Sequence, residues 1–357
     1  MRVFDYSKLN SRTWDNEILS YIAQIHEYKG KQDLFLRQKP VEIKRLVEIA
    51  KIQSTESSNQ IEGIITTNSR LKALVADKTT PRNRDEEEIL GYRNALNIVH
   101  ESYDSIPLRS NYILQLHGEL LKYTPYSYGG KYKTTPNEID MVLENGEKVV
   151  LFKPLEPYET PDAIKRLCDE FQRALDDEIV DPLIIIFNFV LDFLCIHPFN
   201  DGNGRMSRLL TLLLLYRSGY YVGQYISIEK AIADTKESYY QALQQADKNW
   251  MEDENDPKPF IKYMLGIVLS CYKEFESRVT VASSGGNKST SYDVVKAYVY
   301  KSLGKFSKQD ALISCPALGS SSVESALKKL VEDGAIIRTG AGRTTMYAKN
   351  ADFDWEN

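Results

Sequence analysis

A chain of 357 residues has room for two or three domains and a sizeable buried core. Its 42% hydrophobic and 27% charged residues match the average of soluble globular proteins. A net charge of −5 means that the molecule as a whole is not built electrostatically for nucleic acid, which leaves only a local basic patch for that role.

The cysteines, Cys168, Cys195, Cys271 and Cys315, are scattered without CxxC spacing. That argues against a disulfide framework and a zinc site and suits a reducing compartment. The opening MRVFDYSKLNSRTW lacks an apolar core of signal-peptide length. The most apolar stretch, Leu183 to Ile196, is shorter than the about 20 residues a bilayer needs and carries Asn188 and Asp192. It reads as a buried helix, and the expectation is a cytoplasmic protein with no membrane partner.

From Asn16 to about Tyr123 the pattern is mostly helical. Val41 to Lys51 and Glu86 to Tyr103 place apolar residues three and four apart, and Thr79 to Glu88 is a polar loop feeding a helix start. Between Tyr123 and Pro161 tyrosine, glycine and proline are dense. Asn145-Gly146, within Glu144 to Lys148, predicts a tight turn between two strands. Helices resume at Thr160-Pro161-Asp162, with Thr160 as the expected N-cap, and again at Asp181-Pro182. A further helix covers about Arg205 to Ser218 and is stopped by Gly219; helical spacing continues through Ser238 to Trp250 and Pro259 to Thr280. Val281 to Ser291 is small, polar and glycine-containing, and is the best linker candidate. Beyond it, three helices and two short strands around TGAGR follow the order of a winged helix-turn-helix.

His197 to Arg208, HPFNDGNGRMSR, is the most informative stretch. A histidine ends a buried helix, a Gly-Asn-Gly turn follows, and a new helix begins with two arginines. Gly202 and Gly204 free the backbone for a turn whose N–H groups converge at a helix N-terminus, a natural anion site. Arg205 and Arg208 add forks suited to phosphate oxygens. Asp201 is placed to hold a divalent cation, since Mg²⁺ binds through one or two carboxylates plus substrate phosphates. His197 supplies a general base with a pKa suited to neutral pH.

This stretch resembles the Fic-family signature HxFx(D/E)GNGRxxR, matched at His197, Phe199, Asp201, Gly202, Asn203, Gly204, Arg205 and Arg208. The resemblance implies an all-α Fic fold with a small β-hairpin flap and transfer of AMP from ATP to a protein serine, threonine or tyrosine. His197 would deprotonate the acceptor hydroxyl, which attacks the α-phosphate as pyrophosphate leaves. Asp201 would hold Mg²⁺, Asn203 and the backbone of Gly202 to Arg205 would cradle the α-phosphate, and Arg208 would reach the γ-phosphate. Phe199 would anchor the loop in the core.

Gly129 to Ile139, with the hairpin behind it, resembles the family's flap, which pairs with the target backbone; Lys133, Thr134, Thr135, Asn137 and Ile139 would do the docking. Tyr239-Tyr240 resembles the adenine-facing helix, with Tyr240 the ring contact, while Asp247 stands where relatives often carry an amide. Ser57 to Gly63, SSNQIEG, resembles the inhibitory motif [S/T]xxxE[G/N], filled by Ser58, Glu62 and Gly63. Glu62 would pair with Arg208 and take it from the γ-phosphate, or would assist removal of AMP as in some relatives.

The expected domains are an N-terminal helical region over 1–105, a catalytic domain over 106–280, a linker over 281–291, and a winged-helix (α+β) domain over 292–357. The recognition helix of the last, Ser320 to Glu332, sets Lys328 and Lys329 against Glu324 and Glu332, and Arg338 and Arg343 flank the wing. That is a thin footprint for DNA and favours protein contact. Three functions compete: an AMP transferase restrained by Glu62, a DNA-binding regulator with a Fic sensor, and a Fic enzyme with another phosphate-containing donor. The partners implied are ATP, an unidentified protein target, the chain itself as acceptor, and a second copy in a homodimer.

Overall fold

The computed structural model describes residues 2–38, 40–142, 148–283, 290–302, 304–315, 318–340, 345–350, 353 and 355. The N-terminal helices are α1 (Lys8–Ser11), α2 (Asn16–Gln38), α3 (Pro40–Ile61), α4 (Asn68–Val75), α5 (Arg84–Ser102) and α6 (Ser110–Leu120). An antiparallel pair follows, β1 (Ile139–Val142) and β2 (Lys148–Phe152), in the register Asp140 to Val150 and Val142 to Lys148. Its predicted turn at Asn145-Gly146 lies outside the described residues, as do Ser284 to Ser289 in the expected linker and Arg343 in the expected wing. The helices α7 (Thr160–Asp176), α8 (Pro182–Ile196), α9 (Asn203–Arg217), α10 (Ile228–Asp234), α11 (Lys236–Ala246) and α12 (Lys258–Ser283) come next. No helix among the described residues is long and apolar enough to cross a membrane.

Compact packing divides the chain into two units, Met1–Lys31 with Ala50–Cys271, and Gln32–Ile49 with Tyr272–Asn357. The centre of the first is α8. Every side chain from Leu183 to Ile196 is buried, and Asp181 caps the helix by accepting from the Leu183 N–H ahead of Pro182. The helix packs between α7 and α9. α7 meets it with Ala163, Ile164, Leu167, Cys168, Phe171 and Ala174, a stripe at helical spacing. Its N-cap is Glu159, one residue ahead of the expected Thr160, because the Thr160 hydroxyl donates back to the Glu156 carbonyl.

The two polar residues inside α8 have partners. Asp192 accepts from Tyr6 Oη (2.8 Å), Trp250 Nε1 (2.7 Å) and Asn188 Nδ2 (3.0 Å), and pairs with Arg2 at 3.3 Å. A carboxylate buried that deeply is held by hydrogen bonds and a cation together, and it ties the N-terminal segment to the central helix.

α5 packs against both α6 and α9. Gly91 makes the first contact possible, since a Cβ there would run into the Leu120 carbonyl of α6. Gly91→Ala is therefore expected to cost about 2 kcal/mol through forced separation of two helices, read as a lower urea midpoint. An unchanged midpoint would show that the pair can slide apart freely.

The second unit holds α13 (Ser291–Lys301), β3 (Phe306–Ser307), α14 (Lys308–Ser314), α15 (Ser320–Glu332), β4 (Ile336–Thr339) and β5 (Met346–Lys349). Its strands form an antiparallel sheet in the order β3-β5-β4, around a core that includes Val295, Val299, Phe306, Val323, Leu327 and Leu330. The sequence order of three helices and two strands omits β3. Phe306 and Ser307 read as the approach to a helix because Ser307 caps α14 in a capping box with Asp310, and their strand character comes from pairing with Tyr347 and Met346. On the outer face of α15, Lys328 pairs with Glu332 (3.8 Å) and Glu324 with Lys308 of α14 (2.5 Å).

Candidate functional site

The loop between α8 and α9 is held from three sides. His197 caps α8 in the left-handed region at φ 49°, a conformation costly for a side chain with a Cβ, and its N–H still donates to the Phe193 carbonyl. On one side Lys133 N–H donates to the Pro198 carbonyl (2.9 Å), and Lys133 Nζ reaches Asn137 Oδ1 (2.7 Å) and the Ile196 carbonyl (3.2 Å). Asn137 Nδ2 spans the carbonyls of His197 (3.3 Å) and Phe199 (3.1 Å). Both residues, expected to dock a target, thus brace the loop, whereas Thr134 and Thr135 are exposed; the Ile139 side chain lies outside the description.

Beneath the loop, Phe199 stacks on the ring of His117, with centroids 3.7 Å apart and planes 7° from parallel. Gly130 N–H donates to His117 Nδ1 at 3.0 Å, so the ring proton sits on Nε2 and donates to the Asp201 carbonyl, also at 3.0 Å. Burial pushes His117 down to about 4, Arg205 adding to the shift and the Asp201 carbonyl opposing it, so the ring is neutral at pH 7. His117→Phe keeps the stack and removes both hydrogen bonds. It is expected to cost about 2 kcal/mol, because the Gly130 N–H and Asp201 carbonyl lose their partner, and urea titration measures it. A wild-type midpoint would mean that water replaces the imidazole at no cost.

Asn203 and Arg205 work inward as well. The Asn203 amide closes on the Phe199 backbone in both directions, accepting from its N–H (2.9 Å) and donating to its carbonyl (2.8 Å). Arg205, expected as a phosphate ligand, is 1% exposed and pairs with Glu88 of α5 at 2.7 Å and with Asp201 at 3.4 Å. Both side chains shape the turn. Gly202, at φ 81°, redirects the chain into α9, whose first N–H groups remain for an anion. Asp201 accepts from the Gly202 N–H at 2.6 Å and keeps 37% of its side chain exposed.

Arg208, one turn into α9, is buried and turned toward α3. Its Nε donates to Ser58 Oγ (2.8 Å), and its Nη2 donates to the Ser58 carbonyl (2.9 Å) and to Glu62 Oε1 (2.7 Å). Burial alone would raise the Glu62 carboxyl, yet Arg208, with Arg205 and Lys236 behind it, holds it below its ordinary value. Gly63 ends α3 immediately after Glu62. Its φ of 80° is a left-handed position that glycine and asparagine accept, and the Gly63 and Ile64 N–H groups return to the Gln60 and Asn59 carbonyls. Glu62 also lies directly over Gly204, where an added Cβ would strike its carboxylate.

Glu62, His197, Gly204 and Arg208 open on one cleft of about 890 Å³, walled farther out by Phe152 of β2 and by Tyr240, Gln244 and Asp247 on or just after α11. Tyr240 is 43% exposed and Tyr239 is buried, and both line this cleft. Burial pushes the Asp247 carboxyl up to about 7. His197 Nδ1 lies 3.3 Å from the Leu194 carbonyl, which can only accept, so Nδ1 carries the proton and Nε2 keeps a free lone pair. Burial pushes this imidazole down to about 4, the Leu194 carbonyl opposing and the Lys133 ammonium adding to the shift. A neutral base, an anion-binding helix start and a buried arginine already matched to a carboxylate therefore share one space. Among the described residues no cluster of three metal-ligating side chains occurs.

Sequence reasoning missed His117, Glu88 and the bracing role of Lys133. His117 falls in the apolar stripe Ile113, Leu116, Leu120 of α6 and gives the same signal as a core histidine. Lys133 gave no distinct signal, since Lys131 stands two residues before it in the same segment.

Comparison with known proteins agrees with this geometry. The Fic/DOC family profile matches residues 107–215. The chain is 26% identical over 230 residues to the protein adenylyltransferase Fic of Nematostella vectensis, with 62% of this chain and 48% of that protein covered. It thus spans about half the length of that relative. The crystal structure of a Fic family protein from Desulfovibrio desulfuricans G20 superposes with a TM-score of 0.62 at 23% identity, covering 96% of this chain and 98% of that one. A FIC domain-containing signaling protein from Bacteroides thetaiotaomicron VPI-5482 gives 0.60 at 25% identity, covering 73% and 98%. The loop, its supports and its relatives converge: the chain carries a Fic/DOC-family domain.

Proposed function

We propose that the protein transfers AMP from ATP to a serine, threonine or tyrosine hydroxyl of a protein target, with the chain itself as one acceptor, and that Glu62 restrains the reaction. The observation that carries this reading is the 2.7 Å pair of Glu62 with Arg208 above Gly204, in the cleft that His197 also faces. The name protein adenylyltransferase borne by relatives such as that of Nematostella vectensis points the same way.

In the productive arrangement the α-phosphate lies against the N–H groups at the start of α9, and Arg208 meets the γ-phosphate. His197 Nε2 takes the proton of the acceptor hydroxyl. Its oxygen forms the new bond to the α-phosphorus, the bond from that phosphorus to the bridging oxygen of the β-phosphate breaks, and pyrophosphate departs. Positioning and charge stabilisation supply most of the rate in such transfers. Asp201 fits a Mg²⁺ site: it offers one partly exposed carboxylate beside the anion turn, the donor set expected where phosphates complete the coordination. A bound Mg²⁺ would neutralise charge on the leaving pyrophosphate.

Glu62 restrains this arrangement by imitating the phosphate. Its carboxylate lies over Gly204 at the positive end of α9 and takes one face of the Arg208 fork, so the attractions that would hold the α- and γ-phosphates are both already engaged. The second unit fits a winged helix by its element order, and the Lys–Glu pairs on α15 favour a protein contact there over DNA.

Incubation with ATP labelled at the α- or the γ-phosphate tests the reaction class. Label from the α-position should become protein-bound and acid-stable, and label from the γ-position should leave as pyrophosphate. Transfer of γ-label would replace this reading with phosphate transfer.

A further inference from the structure

Behind Arg208 lies a second anion. Ser54 and Ser58 of α3 and Glu62, just past its last residue, are spaced four residues apart, and both serines are fully buried. The Ser54 hydroxyl reaches Glu229 Oε2 at 2.7 Å and lies 2.9 Å from Ser227 Oγ, itself 3.2 Å from the same carboxylate oxygen. Tyr92 of α5 donates its phenol to Glu229 Oε1 at 3.1 Å. Glu229 has no exposed surface, and it sits in the first turn of α10, where the helix dipole supports its charge.

Ser58 joins this carboxylate to Arg208. Its Oγ accepts from Arg208 Nε, and it lies beside the Tyr92 phenol. Donation runs from the guanidinium to Ser58 at one end and from Tyr92 to Glu229 at the other, with Ser58 and Tyr92 side by side between them. Burial and the Glu229 charge push the Tyr92 phenol well above its ordinary range, so it remains a donor. Bonds aligned between a cation and an anion in a water-free interior reinforce one another.

We propose that Glu229, acting through Tyr92 and Ser58, is the positioning anion that keeps Arg208 aimed into the nucleotide cleft once Glu62 releases it. The proposal rests on Arg208 being the γ-phosphate group of the reaction above. Glu62 engages only Nη2 of the guanidinium, so the Nε contact through Ser58 survives its departure. A fork fixed at that end meets a phosphate without first losing its own freedom.

Calorimetric titration of ATP and ADP, each with Mg²⁺, into Glu62→Gly decides the matter when repeated with Tyr92→Phe or Glu229→Gln added. Each second substitution should weaken ATP about tenfold, the scale of one charge-linked hydrogen bond, and leave ADP, which lacks the γ-phosphate, within about twofold. The KM for ATP should rise in step while kcat changes little. Equal losses for both nucleotides would assign the network a purely structural role, and no loss for either would remove Glu229 from the site; each overturns the proposal. Two chemically different substitutions guard against one that merely misfolds. Failure of the AMP-transfer reading is distinguishable. If Glu62→Gly binds both nucleotides without transferring label, the ratio still decides the role of Glu229; if it binds neither, both ideas fall.

Discussion

Glu62→Gly should raise AMP incorporation roughly ten- to a hundredfold, the equivalent of the about 1.5–3 kcal/mol carried by a charge-assisted hydrogen bond. The substitution removes the carboxylate that shares Arg208 Nη2 with the Ser58 carbonyl, and it clears the space over Gly204. The arginine keeps its two bonds to Ser58, so the gain should appear in rate without collapse of the fold. Initial rates with α-labelled ATP, alongside thermal melts of both proteins, measure it. A variant no faster than wild type, with an unchanged melt, would show that the ion pair does not restrain the reaction. The outcome also separates Glu62 from Asp201, since the latter substituted by alanine should lower the rate in either background.

The parts of this site legible in the sequence are those that a short run of chain determines alone. The turn of α8 into α9 is written in Asp201, Gly202, Asn203 and Gly204, because the positive φ at Gly202 and the anion-binding helix start are local properties. Gly63 is legible for the same reason: it ends α3 where Glu62 must stop. The facing of Arg205 is not local, and that of Asn203 depends on a contact only four residues back. Arg205 turns inward because Glu88, far away on α5, waits for it, and Asn203 because the Phe199 backbone offers both a donor and an acceptor. The flap shows the same limit. Its residues resembled a docking surface, yet Lys133 and Asn137 spend their polar groups on the end of α8 and the loop that follows it, a contact that only the folded chain creates. The meeting of Ser54, Tyr92 and Glu229 is likewise silent in sequence, since serine, tyrosine and glutamate on separate helices carry no spacing signal.

His197→Ala should lower AMP incorporation by roughly 10²–10⁴-fold, the usual contribution of a positioned general base. The expected pH dependence is more specific. Burial holds the free imidazole at about 4, and the base acts in its neutral form, so this group is fully competent above about pH 5 and is lost only as pH falls through 4. In the Glu62→Gly background, kcat/KM should therefore be flat on its acid side down to about pH 5, without the inflection near 6.5 of an ordinary histidine. Lys133 contributes to the low value. Its own pKa is drawn down to about 8 by burial, so its charge fades above that pH and the pressure on His197 eases. Lys133→Met should then move the acid limb upward toward 6.5 while weakening the brace at Ile196 and Asn137. An inflection already at 6.5 with Lys133 intact would mean that solvent reaches the ring and that the loop is open when the enzyme is free. A flat profile that persists in Lys133→Met would leave burial as the whole cause and reduce Lys133 to a mechanical support.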